Sequence, residues 1–156
     1  MTDASAIRAL LLDDDEYALE YLGVILQGRF PDLEVEKRLR PDPSGSFDLY
    51  FIDDDFEGVR LAGKLARKIR AQDPNAMVLA FSASLDEGTL KELLNAGCLG
   101  VCDKKVPGDM PAMLDAIERA IDTIQEERRE PHRDAAHLFS TLRSLFREWN
   151  RRLRAQ

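Results

Sequence analysis

The chain has 156 residues, 44% hydrophobic and 33% charged, the size and composition of one globular domain with room for an appendage. Its net charge of −7 is uneven: residues 131–156 hold six arginines against two acids, a balance of +4, which leaves −11 on residues 1–130. So acidic a body disfavours non-specific nucleic-acid binding, and no apolar run approaches the ~20 residues that cross a membrane.

Residues 1–6 have neither a basic nor an apolar segment of the kind that directs secretion. The chain is therefore expected to be soluble and cytoplasmic, with a short disordered start. Ile7 to Leu12 reads as a first strand that runs into Asp13, Asp14, Asp15 and Glu16. Ala18, Tyr21, Leu22, Ile25 and Leu26 then recur at helical spacing, with Gly28 as the expected stop. Acids at a helix start offset its dipole, which accounts for Asp15 and Glu16. Leu33, Val35 and Leu39 alternate with charged residues, the pattern of a half-exposed second strand. Pro41 to Ser46 follows, with two prolines and a glycine that leave no room for a helix.

Leu49 to Ile52 is an unbroken apolar run, the mark of a strand buried on both faces, and it meets Asp53, Asp54 and Asp55. Leu61, Ala62, Leu65, Ala66 and Ile69 mark the next helix, which should end before Asp73-Pro74. Met77 to Phe81 is a fourth strand ending at Ser82; Ser84 with Glu87 suggests a capping box for a helix through Leu90, Leu93 and Leu94, closed by Asn95-Ala96-Gly97. Leu99 to Cys102 is a short fifth strand ending in Asp103-Lys104-Lys105. After a turn and cap at Pro107 to Asp109, Met110, Met113, Leu114, Ile117, Ile121 and Ile124 stripe a long helix that Glu126 to Glu130 can extend and Pro131 should end. Cys98 and Cys102 read as reduced packing thiols, since zinc needs four spaced ligands and His132 and His137 lie far off.

Strands alternating with helices make an α/β domain: a five-stranded parallel sheet whose natural arrangement is the flavodoxin-like order 2-1-3-4-5, with the second helix reduced or absent. That order sets the carboxyl ends of strands one, three, four and five side by side. Asp13, Asp14 and Asp53 to Asp55 there offer hard oxygens suited to Mg²⁺. A strand-end carboxylate can attack a phosphoryl group, and the hydroxyl of Ser82 with the ammonium of Lys104 can steady its oxygens.

The run Leu11 to Asp15, the run Phe47 to Asp53, Ser82-Ala83 and Asn95 to Lys104, in this order and spacing, resemble a response-regulator receiver domain, the CheY-like phospho-aspartate module of bacterial two-component signalling. The resemblance covers residues 7 to about 125. It implies Mg²⁺ as cofactor, held by Asp13, Asp14, Asp53 and the backbone carbonyl of Asp55. It further implies Asp53 as phospho-acceptor, Ser82 and Lys104 on the phosphoryl group, and a side chain at Asp55 that tunes phosphate lifetime. Lys104 is preferred over Lys105, which stands where the family usually has proline. Asp54 reads as an exposed bystander. Three departures stand out: Gly58 comes early after Asp53, Glu57 replaces a proline, and Val101 replaces the aromatic switch residue. The output therefore need not follow the usual hydroxyl-to-aromatic switch.

Beyond the receiver-like segment, 7–130, residues 131–156 form an amphipathic extension with Ala135, Leu138, Phe139, Leu142, Leu145, Phe146, Trp149 and Leu153 on one face and arginines opposite. One helix is too short for a DNA-reading helix-turn-helix. Its apolar face is open to three fates: docking on its own receiver, pairing with a second copy or a partner helix through 135–153, or lying on a membrane. Pairing is the leading expectation and membrane contact the least. The leading function is a single-domain response regulator, phosphorylated by a sensor histidine kinase or phosphotransfer protein, with output by protein contact or dimerisation. No enzymatic turnover is implied beyond self-phosphorylation from a phosphodonor and autodephosphorylation. The alternatives are a phosphorylation-independent interaction module and a phosphatase of the haloacid-dehalogenase type. The phosphatase would use Asp53-Asp54-Asp55, Ser82 and Lys104, but it lacks the late acidic pair and a cap domain.

Overall fold

The computed structural model describes residues 6–130 and 135–151. The strands β1 (Arg8–Leu12), β2 (Glu34–Arg38), β3 (Leu49–Asp53), β6 (Met77–Ser82) and β7 (Gly100–Asp103) form one parallel sheet in the order β2-β1-β3-β6-β7. This is the expected 2-1-3-4-5 order. Between β3 and β6 lies a two-stranded hairpin, β4 (Asp55–Phe56) and β5 (Val59–Arg60), where only a shortened turn was foreseen.

Alternation along the strands separates two cores. Ala9, Leu11, Leu49, Phe51, Met77, Leu79 and Phe81 face α1 (Glu16–Arg29) and α4 (Asp109–Arg129). Leu10, Leu12, Tyr50, Ile52, Val78, Ala80 and Val101 face α2 (Ala62–Gln72) and α3 (Glu87–Asn95). Asp15 caps α1, accepting from the N–H groups of Tyr17 and Ala18. Two expectations on α1 fail. Gly28 lies inside the helix, which runs to Arg29 because its guanidinium reaches Asp115 (2.8 Å) and Glu118 (3.1 Å) on α4. Tyr21 is 66% exposed; Leu19, Gly23 and Leu26 are buried, with the expected Leu22 and Ile25 packed beside them.

No helix joins β2 to β3. Arg38 organises that loop instead, donating to the carbonyls of Asp42 (2.8 Å) and Ser44 (2.7 Å) while its guanidinium lies over Phe47. Leu39 falls outside β2 and is half-exposed. The cap of α3 is Asp86, which accepts from Thr89 N–H at 2.7 Å; Ser84 is not the cap, because the helix starts at Glu87 and Ser84 lies two residues before the cap position. Gly97, at φ 110°, ends that helix as expected.

The extension forms α5 (Ala135–Asn150), seated on α4 and β7. Leu142, Phe146 and Trp149 are buried in the α1/α4 core, and Arg70 stacks on Phe139 at 3.6 Å. Asn150 donates to the carbonyl of Leu99 at 2.7 Å. Docking on its own receiver-like body is thus the fate the structure takes for this face. Pro131, His132, Arg133, Asp134, Arg152, Leu153 and Arg154 lie outside the described residues, as do residues 1–5. Cys98 and Cys102 are both buried, and burial pushes the Cys98 thiol up to about 12, where it is inert. No described helix is long and apolar enough to cross a membrane.

Candidate functional site

Asp13, Asp53, Ser82 and Lys104 arrive together because parallel strands end on one edge. Asp53 is the last residue of β3 and Ser82 the last of β6, while Asp13 and Lys104 directly follow β1 and β7. Asp13, Asp14 and Asp53 each bring an oxygen within 4.8 Å of the others. The ammonium of Lys104 pairs directly with Asp53 Oδ1 and lies 3.8 Å from Asp13 Oδ2. Lys105 is exposed, with its N–H turned onto Asp103 (2.9 Å), so Lys104 is the lysine of the site.

Burial drives the electrostatics. It pushes Asp13 up to about 6, against the help of the Asp15 N–H, and the charges of Asp53 and Asp14 add to the rise. Burial also raises Asp53, opposed chiefly by Lys104. On Lys104 burial works against the charge, yet Asp53 and Asp13 outweigh it and hold its pKa above the ordinary value. Three carboxylates and one ammonium leave a net negative site. Hard oxygens on a partly exposed edge, where Asp14 opens to water, fit a divalent cation of the Mg²⁺ kind.

The hairpin locks this edge. Glu57 N–H donates to Asp14 Oδ2 at 2.8 Å, Gly58 N–H to Asp55 Oδ1 at 2.6 Å, and Asp55 N–H to Asp53 Oδ2 at 3.2 Å. The Gly58 N–H holds one oxygen of the exposed Asp55 carboxylate within the hairpin. Ser82 Oγ accepts from Ser84 N–H at 3.1 Å, which leaves its own O–H to give. A hollow of about 370 Å³ opens over Asp53, lined by Ser82, Ser84, Thr89, Lys104 and Arg60.

Asp54 is the expectation that fails. It is 6% exposed, accepting from Arg60 Nε (2.9 Å) and from Ala62 N–H (3.2 Å) at the start of α2. Its own N–H donates to the Phe81 carbonyl at 2.9 Å, so Asp54 ties β6, the hairpin and α2 together. Sequence reasoning also missed Asp109, a buried residue whose Oδ2 accepts from Asp103 N–H at 2.8 Å and braces the Lys104 loop. The turn signal at Pro107-Gly108 pointed near it. Val101 is fully buried, leaving no aromatic ring at that place on the sheet.

No protein-family model and no curated sequence matches the chain. Solved structures do. A CheY-like response-regulator receiver domain protein from Methanospirillum hungatei is 22% identical, with a TM-score of 0.65 over 78% of this chain and 98% of its own. The receiver domain of a DNA-binding response regulator from Colwellia psychrerythraea is 16% identical, with a TM-score of 0.66 over 74% and 98%. The beryllofluoride-activated receiver domain of DrrB, a Thermotoga maritima protein, is 17% identical, with a TM-score of 0.62 over 73% and 96%. The chain therefore has the receiver-domain fold, with a further helix, α5, laid against it.

Proposed function

We propose that the chain is a single-domain response regulator that takes a phosphoryl group on Asp53 from the phosphohistidine of a sensor kinase or phosphotransfer protein. The observation that carries this reading is a buried strand-end carboxylate paired with Lys104 and set among Asp13 and Asp14. In the transfer, Asp53 Oδ bonds to phosphorus as the phosphorus–nitrogen bond of the donor breaks. Lys104 leaves its pairing with free Asp53 to meet the new phosphoryl oxygens, and Ser82 donates its hydroxyl from the neighbouring strand. Mg²⁺, when held by Asp13, Asp14, Asp53 and the Asp55 carbonyl, would neutralise the charge gathered there. No turnover of a separate substrate is part of this reading.

For the donor, the fitting surface is α1. Tyr17, Tyr21 and Val24, at helical spacing, are 87%, 66% and 69% exposed. Beside them a crevice of about 430 Å³, walled by Leu22, Val106 and Met110, opens on Asp53 and Lys104. Output runs by protein contact, and pairing through α5 requires that helix to leave the core. A phosphorylation-independent interaction module is the second reading, favoured by the hairpin N–H already bound to Asp14.

The test is intact mass after incubation with acetyl phosphate and Mg²⁺. One phosphoryl group should add to the wild type and none to Asp53→Asn. Equal masses for the two proteins would leave the interaction module as the reading.

A further inference from the structure

Resting on the acceptor reading above, we propose that Arg60 is a second cation for the phosphoryl group on Asp53, tethered by Asp54 at the rim of the hollow, and that it prolongs the life of the acyl phosphate.

Arg60 ends β5 and lines the same hollow as Asp53, Ser82, Ser84, Thr89 and Lys104. It is placed there by a fixed point. Asp54 is buried and anchored on α2 through Ala62 N–H, and its Oδ2 takes the Arg60 Nε hydrogen bond at 2.9 Å. The Arg60–Glu92 approach, at 3.6 Å, is an ion pair longer than a hydrogen bond. A guanidinium carries five N–H donors in a planar fork, and the Asp54 bond uses one of them. The terminal nitrogens remain to serve phosphoryl oxygens, the geometry that guanidinium groups match best.

The two cations take different sides. Lys104 follows β7 and lies 3.8 Å from Asp13, whereas Arg60 comes from the hairpin, is held by Asp54, and shares the hollow with Ser84 and Thr89. This placement bears on hydrolysis. A water oxygen bonds to phosphorus as the Asp53 Oδ–phosphorus bond breaks, both of the water's protons leave with the inorganic phosphate, and Asp53 returns as a carboxylate. In-line attack must come from the side opposite the departing Oδ, which is the hollow. A guanidinium paired with the phosphoryl group there stabilises the charged acyl phosphate and narrows the path of water. A mere clasp between Asp54 and Glu92 would have no effect on that step.

The full chain and its Arg60→Gln and Arg60→Lys variants are loaded with acetyl phosphate and Mg²⁺, freed of donor, and followed by intact mass. The glutamine variant should still gain the phosphoryl group and should lose it roughly 5- to 10-fold faster, the worth of about one ordinary hydrogen bond. Lysine, which keeps the charge without the fork, should fall between. Equal half-lives in wild type and Arg60→Gln overturn the proposal and leave the acceptor reading standing. Failure of Arg60→Gln to load, with wild type loading, also overturns it, since Arg60 would then serve acceptance. Absence of any mass gain on wild type overturns the acceptor reading and this role together.

Discussion

Asp13 sits where burial and two neighbouring carboxylates all oppose its charge, and its pKa rises from 3.8 to about 6. The folded chain therefore holds that proton more tightly than the unfolded chain does. The stability it contributes is full below 3.8 and is lost as pH rises through about 6. Under the proposed function, a divalent cation would take the proton's place above that point. Added Mg²⁺ should raise the melting temperature by a few degrees near pH ~7.5 and by much less near pH ~5, as scanning calorimetry can read. Equal shifts at both values would remove Asp13 from the metal site. Asp13, Asp53, Ser82 and Lys104 were legible in the sequence because each ends or follows an apolar run, and strand ends in a parallel sheet share one edge. Asp54 was not. Its partners, Arg60 and Ala62 N–H, come to it only through the fold of the hairpin.

The hairpin is the element that most changes the expected picture. Glu57 and Gly58, at φ 51° and 86°, form its two-residue turn with both residues in the left-handed region. That geometry favours Asn-Gly, and a glutamate there is strained. Glu57→Asn should stabilise the chain by about 0.5–1 kcal/mol, read as a higher denaturant midpoint with an unchanged slope. A lower midpoint would mean that the Glu57 side chain carries an interaction worth more than the strain. Phe56 enters the α2/α3 core, so the short link is a packed element and leaves the three carboxylates within reach of one cation. Helix ends were read less well than helix bodies. Ser84 and Gly28 carry local signals for a cap and a stop, but Asp86 and the Arg29 pairing to α4 override them.

At the scale of the whole molecule, α5 decides how the chain meets others. Its Leu142, Phe146 and Trp149 are buried within the same chain, and a β-carbon on Gly100 would lie 2.3 Å from the Trp149 ring. Gly100→Ala must therefore displace the tryptophan, at a cost of about 1–3 kcal/mol. The wild type should sediment as a monomer while α5 stays docked. Gly100→Ala should expose the apolar face and sediment with a mass that rises with concentration. A monomeric Gly100→Ala chain would show that α5 can keep its seat without that contact.

The sequence by itself determined the sheet, its strand order, the missing helix and the residues gathered at its carboxyl edge. Those follow from local periodicity, right-handed crossovers and the polar residues at strand ends, all of which are written in short segments. Only the tertiary structure decided the rest: the burial of Asp54, the place of Arg60 in the hollow over Asp53, and the docking of α5 on its own body. An amphipathic face specifies that something must cover it, and an acid specifies that something must compensate it. Which group does so depends on distances between segments far apart in the chain, and these exist only once the chain has folded.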